Sequence, residues 1–229
     1  MVQVNATKLF LRFRFKKQGS LQYISHLDLV RTMNKVIVRA KLPLWYTEGF
    51  NPKPKMIFAA PLSIGTESEC EFMDIRMSEY IEPAEAMRRL NANMTDEMQV
   101  VEAYYPDSKF TDLKWMSYRI IFNSPYITQN TLEKCKSLLS ADSIQVMKKN
   151  SDKTTDIRHL IKSASVMESN GKIIIVAVLS ADPSSFLNPE YVVKYLKEQG
   201  AVLTSPNITE ESYEIMRLKA YYDDMTEFR

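Results

Sequence analysis

The order in which two periodicities follow one another constrains this fold more than any other feature. Residues 8–16, KLFLRFRFK, alternate strictly: Leu9, Leu11, Phe13 and Phe15 fall on one side, Phe10, Arg12, Arg14 and Lys16 on the other. A period of two predicts a half-buried strand with a basic outer face. A helical period begins at Ser25. Leu29, Val30, Met33, Val36, Ile37 and Ala40 supply its apolar stripe, while Arg31, Lys35 and Arg39, at i, i+4 and i+8, form a basic one. Ser25 followed three residues later by Asp28 resembles a capping box, and Pro43 closes the helix. Residues 44–50 and 56–65 read as short extended segments around a proline-bounded loop. Residues 67–77 alternate again, Pro83 opens a second helix, and 98–105 form a further strand. The order β-α-β-β-α-β is the ferredoxin-like unit.

A similar order runs through the second half. Strands are expected at 116–122, 143–149, 172–180 and 212–222, with a helix over 131–140. Another helix runs from Asn188 to Gly200, with Asn188 as N-cap and Pro189 at its first position. The expected fold class is therefore α+β, with two tandem ferredoxin-like domains. Residues 1–106 form the first, 107–114 a polar linker and 115–229 the second. A single larger α+β domain is the alternative arrangement.

Between the first strand and residue 65 the plain periods break. Gly19 to Gly65 holds three of the five glycines, four of the ten prolines and one of the two histidines. Local rules tend to be broken where a chain does more than fold. Charge concentrates in the same region. Residues 1–60 contain eleven Lys/Arg against Asp28 and Glu48 alone, a charge of +9, so the remainder carries −7 of the overall +2. That asymmetry predicts a polyanion or an acidic partner near the first half. A solvated basic face is the plainer reading.

Several function classes are not supported. No apolar run approaches the roughly 18–20 residues needed to span a bilayer. The N-terminal run lacks the apolar core and cleavage site of a signal peptide. A cytoplasmic protein is expected, with Cys70 and Cys135 as reduced thiols. Two histidines and two cysteines are scattered without ligand spacing, so no metal site is expected. No glycine motif for phosphates or dinucleotides appears, and no cofactor is expected.

The run Tyr23-Ile24-Ser25-His26-Leu27-Asp28, then Arg31, Gly49-Phe50-Asn51-Pro52, Pro54, Pro61-Leu62 and Gly65, resembles the radical-SAM-linked protein family. This is a bacterial domain of unknown function, also called DUF2344. Thr155-Asp156-Ile157-Arg158 is similar to a second family signature. Lys53 stands where histidine is common, Lys55 where arginine is, and Ser63-Ile64 where Pro-Val is frequent. The resemblance implies work beside a radical-SAM protein, in RNA metabolism, and supplies no activity. The Cys-x-x-x-Cys-x-x-Cys run of the radical-SAM enzyme itself is missing from this chain.

The candidate binding set is Arg12, Arg14, Tyr23, Ser25, His26, Arg31, Lys35, Phe50, Asn51, Lys53 and Lys55. Its cations can neutralise phosphates and its aromatics, with Trp45 and Tyr46, can stack bases. Trp45 and Phe50 can equally be core. His26 can contact a ligand, act as a general base or simply order the helix start. Asp156 and Arg158 form either a structural ion pair or a second ligand-facing patch. Three functions follow in order: an RNA-binding module for tRNA or rRNA, a docking module for the radical-SAM partner, and a metal-independent RNA endonuclease using His26. An enzyme acting on its own is the less favoured class.

Overall fold

A computed structural model of the chain describes residues 9–147 and 153–229. Lys8, Lys148 and Lys149, which the sequence places in strands, lie outside the described residues. The chain divides into two compact units, residues 1–110 with Arg229, and residues 111–228.

The first unit begins with β1 (Phe10–Lys17). A 3-10 turn, Gly19–Tyr23, and α1 (His26–Arg39) follow. Next come β2 (Met56–Phe58), β3 (Thr66–Arg76), α2 (Pro83–Asn91) and β4 (Met98–Tyr104). The strands lie in the order β4-β1-β3-β2, and each neighbouring pair is antiparallel. Alternation along β1 does what its period requires. Leu11, Phe13 and Phe15 are fully buried against Leu29, Met33, Val36 and Ile37 of α1 and Ala86 and Leu90 of α2. Burial of four such α1 side chains, at about 1.5–3 kcal/mol each, outweighs helix propensity in fixing this element.

Helix α1 starts as its residues dictate. The Ser25 hydroxyl accepts from the Asp28 backbone N–H at 3.1 Å and donates to the Asp28 carboxylate at 2.7 Å. The helix ends at Arg39, before Pro43, because Lys41 takes a left-handed conformation at φ 51°. Gly19, also left-handed at φ 61°, opens the preceding turn. A side chain there would strike Glu97.

The second unit contains β5 (Trp115–Asn123), α3 (Gln129–Leu139), β6 (Gln145–Met147), β7 (Thr154–Asp156), β8 (Ile161–Ser169), β9 (Lys172–Ser180), α4 (Glu190–Glu198) and β10 (Ser212–Tyr221). Its sheet runs β10-β5-β9-β8, again with antiparallel neighbours. One expectation is corrected here. Of the strand expected at 143–149, the described part, β6, is not in this sheet: among the described residues it pairs only with β7, in a separate two-stranded ribbon. Its place beside β9 is taken by β8, joined to β9 through Asn170 and Gly171, both left-handed at φ 52° and 71°. That is the geometry an Asn-Gly hairpin turn adopts.

Each unit holds one buried cysteine outside any disulfide, Cys70 on β3 and Cys135 on α3. Burial pushes the Cys135 thiol up to about 11. No helix among the described residues is long and apolar enough to cross a membrane.

Candidate nucleic-acid interface

Two of the eleven candidates lie on β1, and their surroundings differ from the expected basic sheet face. Arg12 is 0% exposed. Its Nε and Nη2 donate to the two carboxylate oxygens of Asp74 at 2.7 and 2.9 Å. Nη1 donates to the Ser108 hydroxyl at 2.8 Å, and Nη2 to the Ser108 carbonyl at 3.1 Å. The guanidinium also sits 4.3 Å over the Phe110 ring. Arg12 is thus a strut between β1, β3 and the segment after β4. Held inside in this way, its guanidinium is not presented to a ligand as the sequence pattern predicts. Burial pushes the Asp74 carboxyl up, and Arg12 pulls it back less strongly. Arg14 is part-buried, with Nε 3.3 Å from the Glu102 carboxylate. A cation already facing a carboxylate adds little to anion binding, so Arg14 contributes less than its sequence position suggests. Lys17 is also spent internally: it is buried, and its ammonium donates to the Leu21 carbonyl at 3.1 Å.

The remaining candidates fall into two groups and a helix face. The first group surrounds the start of α1. Two carboxylates fix the 3-10 turn: Glu67 accepts from the Gly19 N–H at 2.7 Å, and Glu97 from the Ser20 N–H at 3.0 Å and its hydroxyl at 2.6 Å. The turn so held presents Tyr23 to solvent. Ser25 is occupied as the N-cap. His26 is partly buried, its ring edge-on to Phe58 with centroids 5.4 Å apart. The Gly65 N–H donates to the Gln22 carbonyl at 2.9 Å, which brings exposed Ile64 to the same end.

The second group is a hairpin between α1 and β2. Tyr46 bridges Pro54 across it. The Thr47 N–H donates to the Lys53 carbonyl at 2.9 Å, and the Lys53 N–H to the Thr47 hydroxyl at 3.1 Å. Its base is anchored on the end of β3. The Trp45 N–H donates to the Arg76 carbonyl, the Arg76 N–H to the Lys55 carbonyl, and the Arg76 guanidinium lies 3.8 Å over the Trp45 ring. Trp45 is therefore a structural stack rather than a free one. Gly49 turns the tip at φ 121°, and Phe50 beside it is fully exposed. Asn51 and Lys53 are exposed, and Lys55 is half-buried. Strand β2 connects the two groups, its three residues spanning about 10 Å.

The exposed face of α1 carries Arg31, Lys35 and Arg39. Arg31 donates to Asp28 at 3.3 Å. Among the described residues, Lys35, Arg39, Lys53 and Lys55 enter no ion pair. Among the described residues, the cations of the set not opposed by a carboxylate are Lys35 on the helix face and Lys53 and Lys55 in the second group, all in the first unit. Sequence reasoning missed exposed apolar side chains beside them, Leu27 and Ile57. Ile57 lies in MIFAAPL, whose unbroken apolarity hides that this position faces outward. No group of three or more His, Cys, Asp or Glu among the described residues can hold a metal ion.

In the second unit, Asp156 and Arg158 do not pair with each other. The Asp156 carboxylate accepts from the backbone N–H groups of Ile144 and Arg158, at 3.0 and 2.9 Å. These bonds hold its carboxyl below the usual range. Asp156 orders a turn, and Arg158 faces elsewhere, its Nη1 on the Ile161 carbonyl at 2.9 Å.

The arrangement defines a class: an α+β protein of two compact units, with the unopposed candidate cations and the exposed candidate aromatics on the first. The chain belongs to the DUF2344 family, described as "Uncharacterized protein conserved in bacteria", which matches residues 11–189. No curated protein matches it in sequence. In structure it is similar to a chain in the crystal structure of a Cbf5-Nop10-Gar1 complex, with a TM-score of 0.49 and 9% identity. That likeness covers 92% of this chain and 48% of the other, so this chain spans about half its length. It is also similar to an unknown protein from Galdieria sulphuraria, with a TM-score of 0.26 and 8% identity, over 92% and 99% of the two chains. Neither value is high enough to bear on function.

Proposed function

We infer that this protein is an RNA-binding accessory module, working beside a radical-SAM protein in the cytoplasm and contacting tRNA or rRNA through the first unit. The partnership rests on the sequence resemblance. The RNA reading rests on one observation above the others: Phe50 stands fully exposed at the tip of a proline-stiffened hairpin, with Asn51 and Lys53 beside it. A bare phenylalanine gains nothing from water, whereas stacking a base on such a ring is worth about 1–3 kcal/mol. Lys35, Arg39 and Lys53 supply unopposed charge for phosphates on the same unit. The shared strand order supports reading the two units as tandem ferredoxin-like domains.

The test is binding of the purified protein to total tRNA and rRNA fragments across a salt series. The wild type is compared with an Arg31→Glu/Lys35→Glu/Lys53→Glu variant whose folding is checked by circular dichroism. Wild-type affinity should fall with log salt at a slope of about −0.7 to −0.9 per phosphate neutralised, and the folded variant should lose both affinity and slope. No binding at low salt would end this reading and leave the exposed Phe50, Leu27 and Ile57 as a docking surface for the partner protein.

A further inference from the structure

A cavity of about 450 Å³ opens in the second unit between the C-terminal end of α3 and the edge strand β8. That volume lies within the range of roughly 300–1,000 Å³ found for small-molecule sites. Its floor is apolar, with Leu139 on the helix side and Ile161 and Val166 on the strand side. Its polar lining includes two cations, Lys136 and Arg158, and two hydroxyls, Ser140 and Ser163.

The state of Arg158 gives the cavity a chemical preference. One guanidinium nitrogen, Nη1, is fixed on the Ile161 carbonyl. The Nε–Nη2 edge takes no hydrogen bond within the described residues, and no carboxylate among them pairs with the side chain. A guanidinium edge of this kind matches two oxygens of a phosphate or carboxylate. Lys136 reaches Glu133 at 3.1 Å in an exposed pair, which screening keeps weak. The α3 C-terminus carries about half a negative charge, which two full cations outweigh. Two cations balance a phosphate monoester, at about −1.5 to −2 near neutral pH, better than a single carboxylate. Inorganic phosphate alone would leave the apolar floor uncovered.

We propose that this cavity binds a small organic phosphate monoester, with the phosphate between Arg158 and Lys136 and the organic body over Leu139, Ile161 and Val166. The site is separate from the RNA-binding surface and does not depend on it.

Calorimetric titration of the full chain with AMP and with glucose 6-phosphate tests this, with adenosine and glucose as uncharged controls. At least one of the two phosphates should bind, its uncharged counterpart at least tenfold more weakly. Arg158→Gln should weaken binding by about tenfold or more, the loss expected for charged hydrogen bonds. Lys136→Gln should weaken it as well, and because Lys136 is exposed, that variant carries the test if Arg158→Gln fails to fold. The Arg31→Glu/Lys35→Glu/Lys53→Glu variant should bind the phosphate unchanged, which separates this site from the first unit. Failure of both phosphates to bind at millimolar concentration overturns the proposal. So does binding that the uncharged control matches, or that a folded cavity variant leaves intact.

Discussion

Arg12 shows why a side chain's place in a pattern is not its role. Alternation placed it correctly on the face opposite Leu11 and Phe13. Nothing in KLFLRFRFK shows that Asp74, sixty-two residues on, lies directly across the ladder. Truncating one partner of such a buried pair leaves the other charge uncompensated, at a cost of about 3–5 kcal/mol. Arg12→Ala should lose that much in urea unfolding, and Arg12→Met/Asp74→Leu should recover most of it. Phe50→Ala should behave oppositely. Stability should stay within about 0.5 kcal/mol, since the ring touches little. RNA affinity should fall by about 1–3 kcal/mol in a binding titration.

Helix ends and hairpins were legible where local chemistry sets them. Ser25 and Asp28 announce the start of α1, and Ser25→Ala should cost about 1 kcal/mol of stability in denaturant unfolding. Helix α2 offers a pH signature. Hydrogen bonds from Arg88 and Arg89 hold the Glu85 carboxyl at about 2, against an ordinary 4.5. As pH falls below 4.5 the unfolded chain takes up this proton before the folded chain does, so the stabilisation is present above that pH and is lost down to about pH 2. Glu85→Gln should flatten this part of a plot of urea midpoint against pH. Strand β8 was missed for a physical reason. IKSASVMES has small and polar residues on both faces, as an edge strand can, and its pairing slips between Ile161 and Ser163. Hydrophobic period carries no signal there. The signal was in the turn, where Asn170-Gly171 before the apolar run of β9 marks a hairpin. Conversely, SIQVMKK has a strand's composition, but its few described strand residues find only β7 for a partner.

Across the chain, the +9 of the first sixty residues is a weaker guide than it looks. Lys17 and Arg12 are buried, and Arg14 and Arg31 face carboxylates. Charge counted along a sequence cannot distinguish a cation held inside from one available to a partner. Within the candidate set what survives is smaller, Lys35 on α1 with Lys53 and Lys55 on the hairpin, and the salt slope of RNA binding should reflect that smaller number.

The two buried thiols make each unit its own clock. A thiol reagent can reach Cys70 only when the first unit opens and Cys135 only when the second does, so their modification rates read out local opening separately. In native buffer both should label slowly. A urea series followed by peptide mapping should give two opening free energies, and simultaneous labelling at every urea concentration would mean that the chain opens as one cooperative whole.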